Sequence, residues 1–259
     1  MPNAALNGIN VYYTDTGGDK PAIVLSHGLL MDHSMFDEQV TALSGEYRVI
    51  AWDERGHGQT KAAGPFSYWD SASDVLGLLD HLGLDQAVLT GMSQGGFLSL
   101  RAALLAPERV RALILIDTQS GLEDPANAES YHQLHEIWLS SGPASVQEIV
   151  SGIILGPGSW DDWYAKWAAA DREQFSLAFH ALVERDDLTE RLGEIRCPAL
   201  IVHGTADAAI PMDKAEQLRD GLGGRTALTA VEGGTHASNV SHPEIVNAAM
   251  LNFLRTLTE

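Results

Sequence analysis

Short apolar runs alternate with longer helical patterns along most of this 259-residue chain. Such nearly continuous runs are typical of strands buried on both faces of a mostly parallel sheet, whereas the alternating stretch Ile9–Thr14 predicts an edge strand. Strands that alternate with helices predict an α/β protein whose central sheet carries helices on both faces. The remaining predicted strands are Ala22–Ser26, Val49–Trp52, Ala87–Thr90, Leu113–Ile116, Leu200–His203 and, last, Thr226–Val231.

Three segments have the periodicity of helices that cover such a sheet. Ser71–Leu82 carries an apolar stripe, and Gln94–Ala106 ends just before Pro107, where a helix is expected to stop. Pro243–Leu257 has a proline in its first turn and apolar residues along one face. These helices fall between or after predicted strands, as the α/β interpretation requires.

Residues 122–192 break this alternation, because they contain no convincing strand pattern. The stretch holds four of the six tryptophans and is punctuated by two Gly-Pro turns. We interpret it as several helices forming a lid, inserted into a core domain made of residues 1–121 and 193–259. Most of its aromatic side chains are expected to build the lid's own core, but aromatic residues also line apolar pockets. The candidates for substrate contact are Trp138, Trp160 and Trp163.

The balance of charge limits the partners that this chain can have. Its formal charge is −19, from 35 acidic and 16 basic residues. A surface this negative repels phosphate backbones and anionic membranes, so neither nucleic acid nor a membrane is an expected partner. The N-terminus lacks the pattern of a secretory signal, and no run approaches the roughly 18 apolar residues of a membrane span. We expect a soluble cytoplasmic protein; the oligomeric state is left open.

The strongest local signal is the hexapeptide Gly91-Met92-Ser93-Gln94-Gly95-Gly96. It follows an apolar run and opens a predicted helix, which is the strand–turn–helix context of a nucleophile elbow. Glycines flank the serine because a tight, strained turn leaves no room for Cβ atoms. The start of a helix also favours developing negative charge. Ser93 is therefore the candidate nucleophile.

With these residues the chain resembles the α/β-hydrolases, and the resemblance covers essentially its whole length. Each motif is weak alone, but five in the order of the family are specific. Among its branches the chain looks most similar to lidded esterases, enol-lactonases and cofactor-free perhydrolases. The motifs are Ser26-His27-Gly28-Leu29, Asp53-Glu54-Arg55-Gly56-His57-Gly58, the turn at Ser93, Gly204-Thr205-Ala206-Asp207 and Gly233-Gly234-Thr235-His236.

A serine hydroxyl needs a base, and the resemblance implies His236, in a glycine-rich loop after the last strand. The base in turn needs a carboxylate. Asp207 follows the Leu200–His203 strand in the Ser…Asp…His order of this fold and is the expected acid. Asp117 is the competitor, since some relatives place their acid after the preceding strand. Two other histidines at strand ends, His27 and His203, are expected to be structural.

The oxyanion of an acyl-transfer intermediate needs preorganised N–H donors. The resemblance implies the backbone N–H groups of Leu29 and Gln94. Leu30 and Met92, which neighbour these positions, are expected to touch substrate. The family implies neither a metal nor an organic cofactor, and His132 and His135 have no evident third ligand beside them.

A serine at the elbow predicts an acyl-enzyme rather than the carbon attack of dehalogenases and epoxide hydrolases, which have an aspartate there. Hydrolysis of a small carboxylic ester or lactone, with no other partner, is therefore the first expectation. Perhydrolysis, cleavage of carbon–carbon bonds in diketones and cleavage of acyl-homoserine lactones use the same triad and stay open. A slow receptor of the same fold is the alternative from another class.

Overall fold

The computed structural model describes residues 2–257, apart from the side chain of residue 126, so positions 1, 258 and 259 of the predicted core domain lie outside it. Eight strands form one sheet in the order β1-β2-β4-β3-β5-β6-β7-β8. The first two are antiparallel to their neighbours, and the other six run parallel to one another. The strands are β1 (Asn3–Leu6), β2 (Ile9–Asp15), β3 (Ala22–Ser26), β4 (Arg48–Trp52), β5 (Ala87–Met92), β6 (Val110–Ile116), β7 (Ala199–Gly204) and β8 (Thr226–Val231).

The prediction that Ile9–Thr14 is the edge strand is wrong, because β1 pairs outside it. The short sequence of β1, Asn-Ala-Ala-Leu, has little β propensity and gave no strand signal. The hairpin turn that joins the two strands is Asn7-Gly8, and both residues have positive φ, at 46° and 80°. An Asn-Gly pair is the standard signal for such a two-residue turn, so the sequence did contain a signal for the β1–β2 hairpin.

Helices cover both faces of the sheet, as predicted. One apolar cluster contains Val75 of α2 and Leu98 of α3, and the other contains Leu43 of α1 and Met250 of α10. The helices outside the 122–192 stretch are α1 (Asp37–Leu43), α2 (Tyr68–His81), α3 (Gln94–Leu105), α8 (Met212–Gly221), α9 (Ser238–Ser241) and α10 (Pro243–Arg255).

Successive side chains of the inner strands alternate between these clusters. In β3, Val24 packs in the first cluster, whereas Ile23 and Leu25 pack in the second. All five residues of this strand are buried, which explains why its sequence reads as a continuous apolar run. The carboxyl ends of the parallel strands meet at one edge of the sheet.

Besides two short 3₁₀ helices, the described chain between β6 and β7 forms four α-helices, where the sequence predicted several helices. They pack on one another through aromatic side chains, and this third cluster has Trp138, Trp167 and Phe175 at its centre. No helix within the described residues is both long and apolar enough to cross a membrane. The four helices are α4 (Pro125–Ser141), α5 (Gln147–Ile154), α6 (Asp161–Ala169) and α7 (Arg172–Val183).

Candidate active site

Ser93 occupies a sharp turn between β5 and α3. Its backbone has φ 50° and ψ −114°, a conformation that is unfavourable for any residue with a side chain. A Cβ atom on Gly91 would collide with the backbone of Gly95, and one on Gly95 would collide with the backbone of Ser26. The two flanking glycines are therefore required by close approach of main chains, and they let the turn hold the serine at the start of α3.

His236 approaches this serine from the loop that follows β8. Its Nε2 lies 3.0 Å from Ser93 Oγ, and the residue is only 6% exposed. The backbone N–H of the next residue, Ala237, donates to the carbonyl of Ile154 in α5 at 2.7 Å. The loop is thereby fixed to the helices between β6 and β7 as well as to the sheet.

Asp207, in the loop after β7, lies on the other side of the imidazole. Its Oδ2 is 2.9 Å from His236 Nδ1, and its Oδ1 accepts hydrogen bonds from the backbone N–H groups of Ala209 and Ile210. An ionised carboxylate only accepts, so Nδ1 carries the ring proton and Nε2 is free to accept from the Ser93 hydroxyl. The structure thus brings together the three residues that the sequence indicated.

The electrostatics of this arrangement favour a charged pair. Burial would lower the pKa of His236, but the charge and hydrogen bond of Asp207 outweigh burial and raise the pKa above its ordinary value of 6.5. Burial likewise opposes ionisation of Asp207, yet the imidazole and the backbone donors hold the pKa of this carboxyl below its usual 3.8. An imidazolium at His236 is therefore stabilised by its surroundings.

Asp117 is also buried at this edge of the sheet, but its carboxylate is used differently. Its Oδ1 accepts from the backbone N–H of Gly204 and its Oδ2 from that of Ser238, both at 2.8 Å. Within the described residues the His236 ring is hydrogen-bonded to Asp207 and not to Asp117. The geometry favours the expected acid over its competitor.

Two backbone N–H groups border the serine. Neither that of Leu29 nor that of Gln94 donates to an acceptor among residues 2–257. A Cβ atom on Gly28 would meet the sulfur of Met92, so this glycine lets the loop lie close to the end of β5. Leu30, which follows Leu29, has φ 65°, and its carbonyl accepts from Trp167 Nε1 at 2.7 Å. This loop is held in a strained conformation that leaves the Leu29 donor available.

A cavity of about 100 Å³ opens onto Ser93 and His236, and its wall is mainly apolar. The predicted contact residues Leu30, Met92 and Trp138 line it. Further lining residues, which the sequence analysis did not select, come mainly from α4, α5 and α7 and include Tyr131, Leu134, Ile153, Phe175, Phe179 and Leu182.

Trp160 and Trp163 do not line this cavity, which corrects the sequence-based expectation for both. Trp160 donates from Nε1 to the carbonyl of Gly156 at 2.9 Å and borders a separate surface depression. Trp163 lies 4.3 Å from the ammonium of Lys166, at a different opening. Aromatic content alone does not reveal which way a helix faces. The spacing of Phe175, Phe179 and Leu182, at i, i+4 and i+7, was the signal that could have found the lining face.

The cavity has few charged groups besides the catalytic candidates. Glu123 is its acidic lining residue, and none of the lysines or arginines among residues 2–257 lines it. His135 lines it as well, but burial lowers the pKa of this histidine and so favours its neutral form. Glu123 accepts from Arg185 at 2.8 Å and from Gln119 at 3.0 Å. The guanidinium of Arg185 therefore balances the negative charge of Glu123. The interior therefore offers no counter-ion to an anionic substrate group.

The histidines expected to be structural are held by backbone bonds. His27 Nε2 accepts from the N–H of Glu54 at 3.0 Å, and His203 Nε2 lies 2.8 Å from the carbonyl of Ile210. Asp53, in the loop after β4, accepts from the ring and backbone of His33.

Two groups among the described residues bring three possible metal ligands within 4.8 Å of one another, namely Asp32, His33 and Asp53, and Asp117, His203 and Asp207. Their carboxylates are already engaged. Asp32 is paired with Lys166 at 2.8 Å, and Asp207 is bonded to His236. These carboxylates already take part in hydrogen bonds and ion pairs within the protein, so their grouping is not evidence for a metal site.

Comparison with known proteins identifies the family. Residues 21–159 match the model of the alpha/beta hydrolase fold, and residues 182–259 match a model described as TAP-like protein. The RutD protein of Rhizobium rhizogenes, which carries the name of a proposed carbamate hydrolase, is 32% identical over 93% of this chain and 95% of its own.

Two solved structures have closely similar folds. An esterase from Thermogutta terrifontis has a TM-score of 0.89 and 25% identity, covering 100% of this chain and 99% of its own. The enol-lactonase of Burkholderia xenovorans LB400 has a TM-score of 0.88 and 28% identity, covering 98% of this chain and 100% of its own. The resemblance expected from the sequence motifs is confirmed: the chain is a hydrolase and belongs to the α/β-hydrolase fold family.

Proposed function

We propose that this chain hydrolyses small carboxylic esters or lactones with an uncharged, apolar acyl group through an acyl-enzyme on Ser93. One observation carries the proposal. The hydrogen-bonded series Ser93 Oγ, His236 and Asp207 has distances of 3.0 and 2.9 Å, and it lies at the wall of an apolar cavity. A nucleophile, a base and an orienting carboxylate within hydrogen-bond reach are what acyl transfer requires.

Each group has a role in the proposed reaction. Ser93 Oγ attacks the acyl carbon while His236 Nε2 accepts its proton, and Asp207 stabilises the imidazolium. The N–H groups of Leu29 and Gln94 donate to the oxyanion. The imidazolium then gives its proton to the leaving alkoxide. Water repeats the sequence on the acyl-enzyme and releases the acid, and no step needs a metal or an organic cofactor.

The four helices between β6 and β7 act in this proposal as a lid that supplies most of the acyl pocket. Their contribution is apolar, from residues such as Trp138, Phe175 and Phe179. An uncharged acyl group loses little on leaving water for such a pocket, whereas a carboxylate would lose its hydration without finding a cation. The same reasoning favours esters over the polar carbamate chemistry that the name of RutD suggests.

The test compares p-nitrophenyl acetate, butyrate and octanoate, with a lactone panel, for wild type and Ser93→Ala. Ser73→Ala is the matched control, because its hydroxyl bonds only the carbonyl of Trp69 on the exposed face of α2. We expect turnover by wild type and the control, and a loss of at least about 10³-fold in Ser93→Ala.

Labelling by a fluorophosphonate probe gives a readout that does not depend on finding a good substrate. Wild type and Ser73→Ala should be labelled at Ser93, and Ser93→Ala should not. Substantial esterase activity in Ser93→Ala would refute the mechanism. Labelling of Ser93 without turnover on any ester or lactone would refute the substrate class and favour a slow receptor or a carbon–carbon hydrolase.

A further inference from the structure

Two consecutive residues after β6 contact the loops that carry all three members of the proposed triad. Asp117 is fully buried and accepts from the N–H of Gly204, three residues before Asp207, and from the N–H of Ser238, two residues after His236. The hydroxyl of Thr118 donates to the carbonyl of Ser93 at 2.7 Å.

The backbone is strained at Asp117, and hydrogen bonds to neighbouring strands and loops hold it in this conformation. Asp117 has φ 47°, in the left-handed region that non-glycine residues rarely adopt. Its own N–H donates to the carbonyl of Val202 in β7 at 2.9 Å, and the N–H of Ser93 donates to the carbonyl of Ile116 at 2.9 Å. Both carboxylate oxygens and the backbone of Asp117 are therefore used to join neighbouring loops, which offsets the cost of the strained φ.

We propose that Asp117 is a positioning residue: its carboxylate sets the distance between the Asp207 and His236 loops, and its charge helps to keep His236 a strong base. The proposal rests on the proposed function, because it concerns the same triad. Asp117 itself touches no reacting atom. It acts on Asp207 and His236 through the backbone groups that it binds.

The ionisable groups around the His236 imidazole support the second half of the proposal, that the charge of Asp117 helps to keep His236 a strong base. His236 faces Asp207, Asp117 and Glu123, and each of these carboxylates raises the pKa of His236. Burial, followed by the charge of Asp207, raises the pKa of Asp117 to about 7. His203, whose Nε2 is 3.5 Å from Asp207 Oδ2, completes the group, and burial lowers the pKa of this histidine. Above neutral pH, Asp117 therefore contributes a negative charge beside the base.

The test substitutes Asp117→Asn and measures kcat, KM and the pH profile on p-nitrophenyl butyrate. The Asn amide offers one acceptor where two backbone donors point, so one loop loses its bond and an NH₂ group faces an N–H. We expect kcat to fall about 10- to 100-fold with little change in KM, because a small misplacement of catalytic groups acts on the chemical step. The acid limb of kcat/KM should move to lower pH by about half a unit or more, since His236 loses a nearby negative charge.

Asp53→Asn is the matched structural control. Asp53 is also fully buried, and it accepts backbone hydrogen bonds from His33 and Gln59, both at 2.8 Å. Among the described residues its carboxylate is not hydrogen-bonded to Ser93, Asp207 or His236. Its substitution should lower the melting temperature without moving the acid limb.

Thr118→Val is a second variant, to be used if Asp117→Asn fails to fold. Valine has nearly the same shape as threonine, so the substitution removes only the hydrogen bond from the Thr118 hydroxyl to the Ser93 carbonyl. It should lower kcat several-fold at constant KM. An unchanged kcat in Thr118→Val would overturn the positioning role of the segment.

Three further results separate this proposal from others. An unmoved acid limb together with a kcat within about twofold of wild type in Asp117→Asn would overturn it. A loss as severe as that of Asp207→Asn would make Asp117 the triad acid instead and would also overturn it. Activity retained in Ser93→Ala would refute the proposed function itself, whatever the Asp117 variant does.

Discussion

His236 Nε2 lies 3.0 Å from Ser93 Oγ although the two residues are 143 positions apart in the chain. Three parallel strands of the sheet, β5, β7 and β8, end at the same edge, so the loops that follow them carry Ser93, Asp207 and His236 to one place. The contact therefore depends on the order and register of the buried strands.

The rate should depend on pH through His236. Its pKa lies above 6.5, and the base must be neutral to accept the serine proton. We expect kcat/KM to fall tenfold per pH unit below the pKa of His236 and to reach a plateau above it. A pH profile on p-nitrophenyl butyrate checks this, with buffers of constant ionic strength. An acid limb centred well below 6.5 would contradict the raised pKa.

Asp207→Asn should reduce kcat by about 10³- to 10⁴-fold, because the amide no longer fixes the Nδ1–H tautomer or stabilises the imidazolium. Asp213→Asn, an exposed aspartate at the start of α8, is the control and should leave the rate unchanged. Steady-state kinetics of the two variants, with circular dichroism to verify folding, decides the point. A loss below tenfold in Asp207→Asn would show that another group orients the base.

Gly28→Ala should disturb the loop that carries the proposed oxyanion donor Leu29, since the new methyl group would meet the sulfur of Met92. We expect kcat to fall about 10- to 100-fold, the usual effect of misplacing one oxyanion donor, with a smaller change in KM. The double variant Gly28→Ala/Met92→Ala removes the clash and should recover part of the lost kcat. The absence of any recovery would mean that the left-handed neighbour Leu30, rather than the contact with Met92, governs the loop.

Much of this site could be predicted from sequence because its parts follow local rules. A serine between crowded glycines and a histidine in a glycine-rich loop after the last strand are both visible in the local sequence. The acid was harder to predict, because Asp117 and Asp207 both follow strands and only the three-dimensional contact with His236 distinguishes them.

The pocket could not be predicted in the same way. Trp138 lies in α4, Trp163 lies in α6, and Trp160 directly precedes α6. Which of them faces the cavity depends on the rotation of these helices about their axes, which is set by packing against the other helices between β6 and β7. Composition identifies an aromatic segment but not its lining face. The prediction failed where local sequence carries no information on the tertiary contact.

These tryptophans give a direct test of the pocket. Trp138→Leu enlarges the cavity and should raise the octanoate-to-butyrate ratio of kcat/KM about tenfold, while costing about 2–4 kcal/mol of stability. Trp163→Leu, in the same group of helices but outside the cavity, should leave the ratio unchanged. The ratio is measured on p-nitrophenyl esters, and equal shifts in both variants would show that lid stability, not pocket volume, sets the preference.

The burial of Glu54 leads to a prediction about folding stability rather than catalysis: the free energy of unfolding should depend on the ionisation of this carboxyl. The residue is 1% exposed; its Oε2 accepts from Gln94 Nε2 at 3.2 Å, and Oε1 has no partner within the described part of the chain. Burial, reinforced by the negative charge of Asp74, raises the pKa of Glu54 well above 4.5. The carboxyl is therefore neutral in the folded protein at pH values where it ionises in the unfolded chain.

The sign of the effect follows from linkage. Because the folded-state pKa is raised, the stabilising contribution of neutral Glu54 is complete below the unfolded-state pKa and is lost as pH rises towards the folded-state pKa. Glu54→Gln keeps the shape and cannot ionise, so its advantage in unfolding free energy over wild type should grow as pH rises from 5.5 to 8.5. Urea unfolding across this range measures it, with the exposed Glu232→Gln as the control. A difference between Glu54→Gln and wild type that stays constant with pH would show that Glu54 is already ionised in the folded protein throughout.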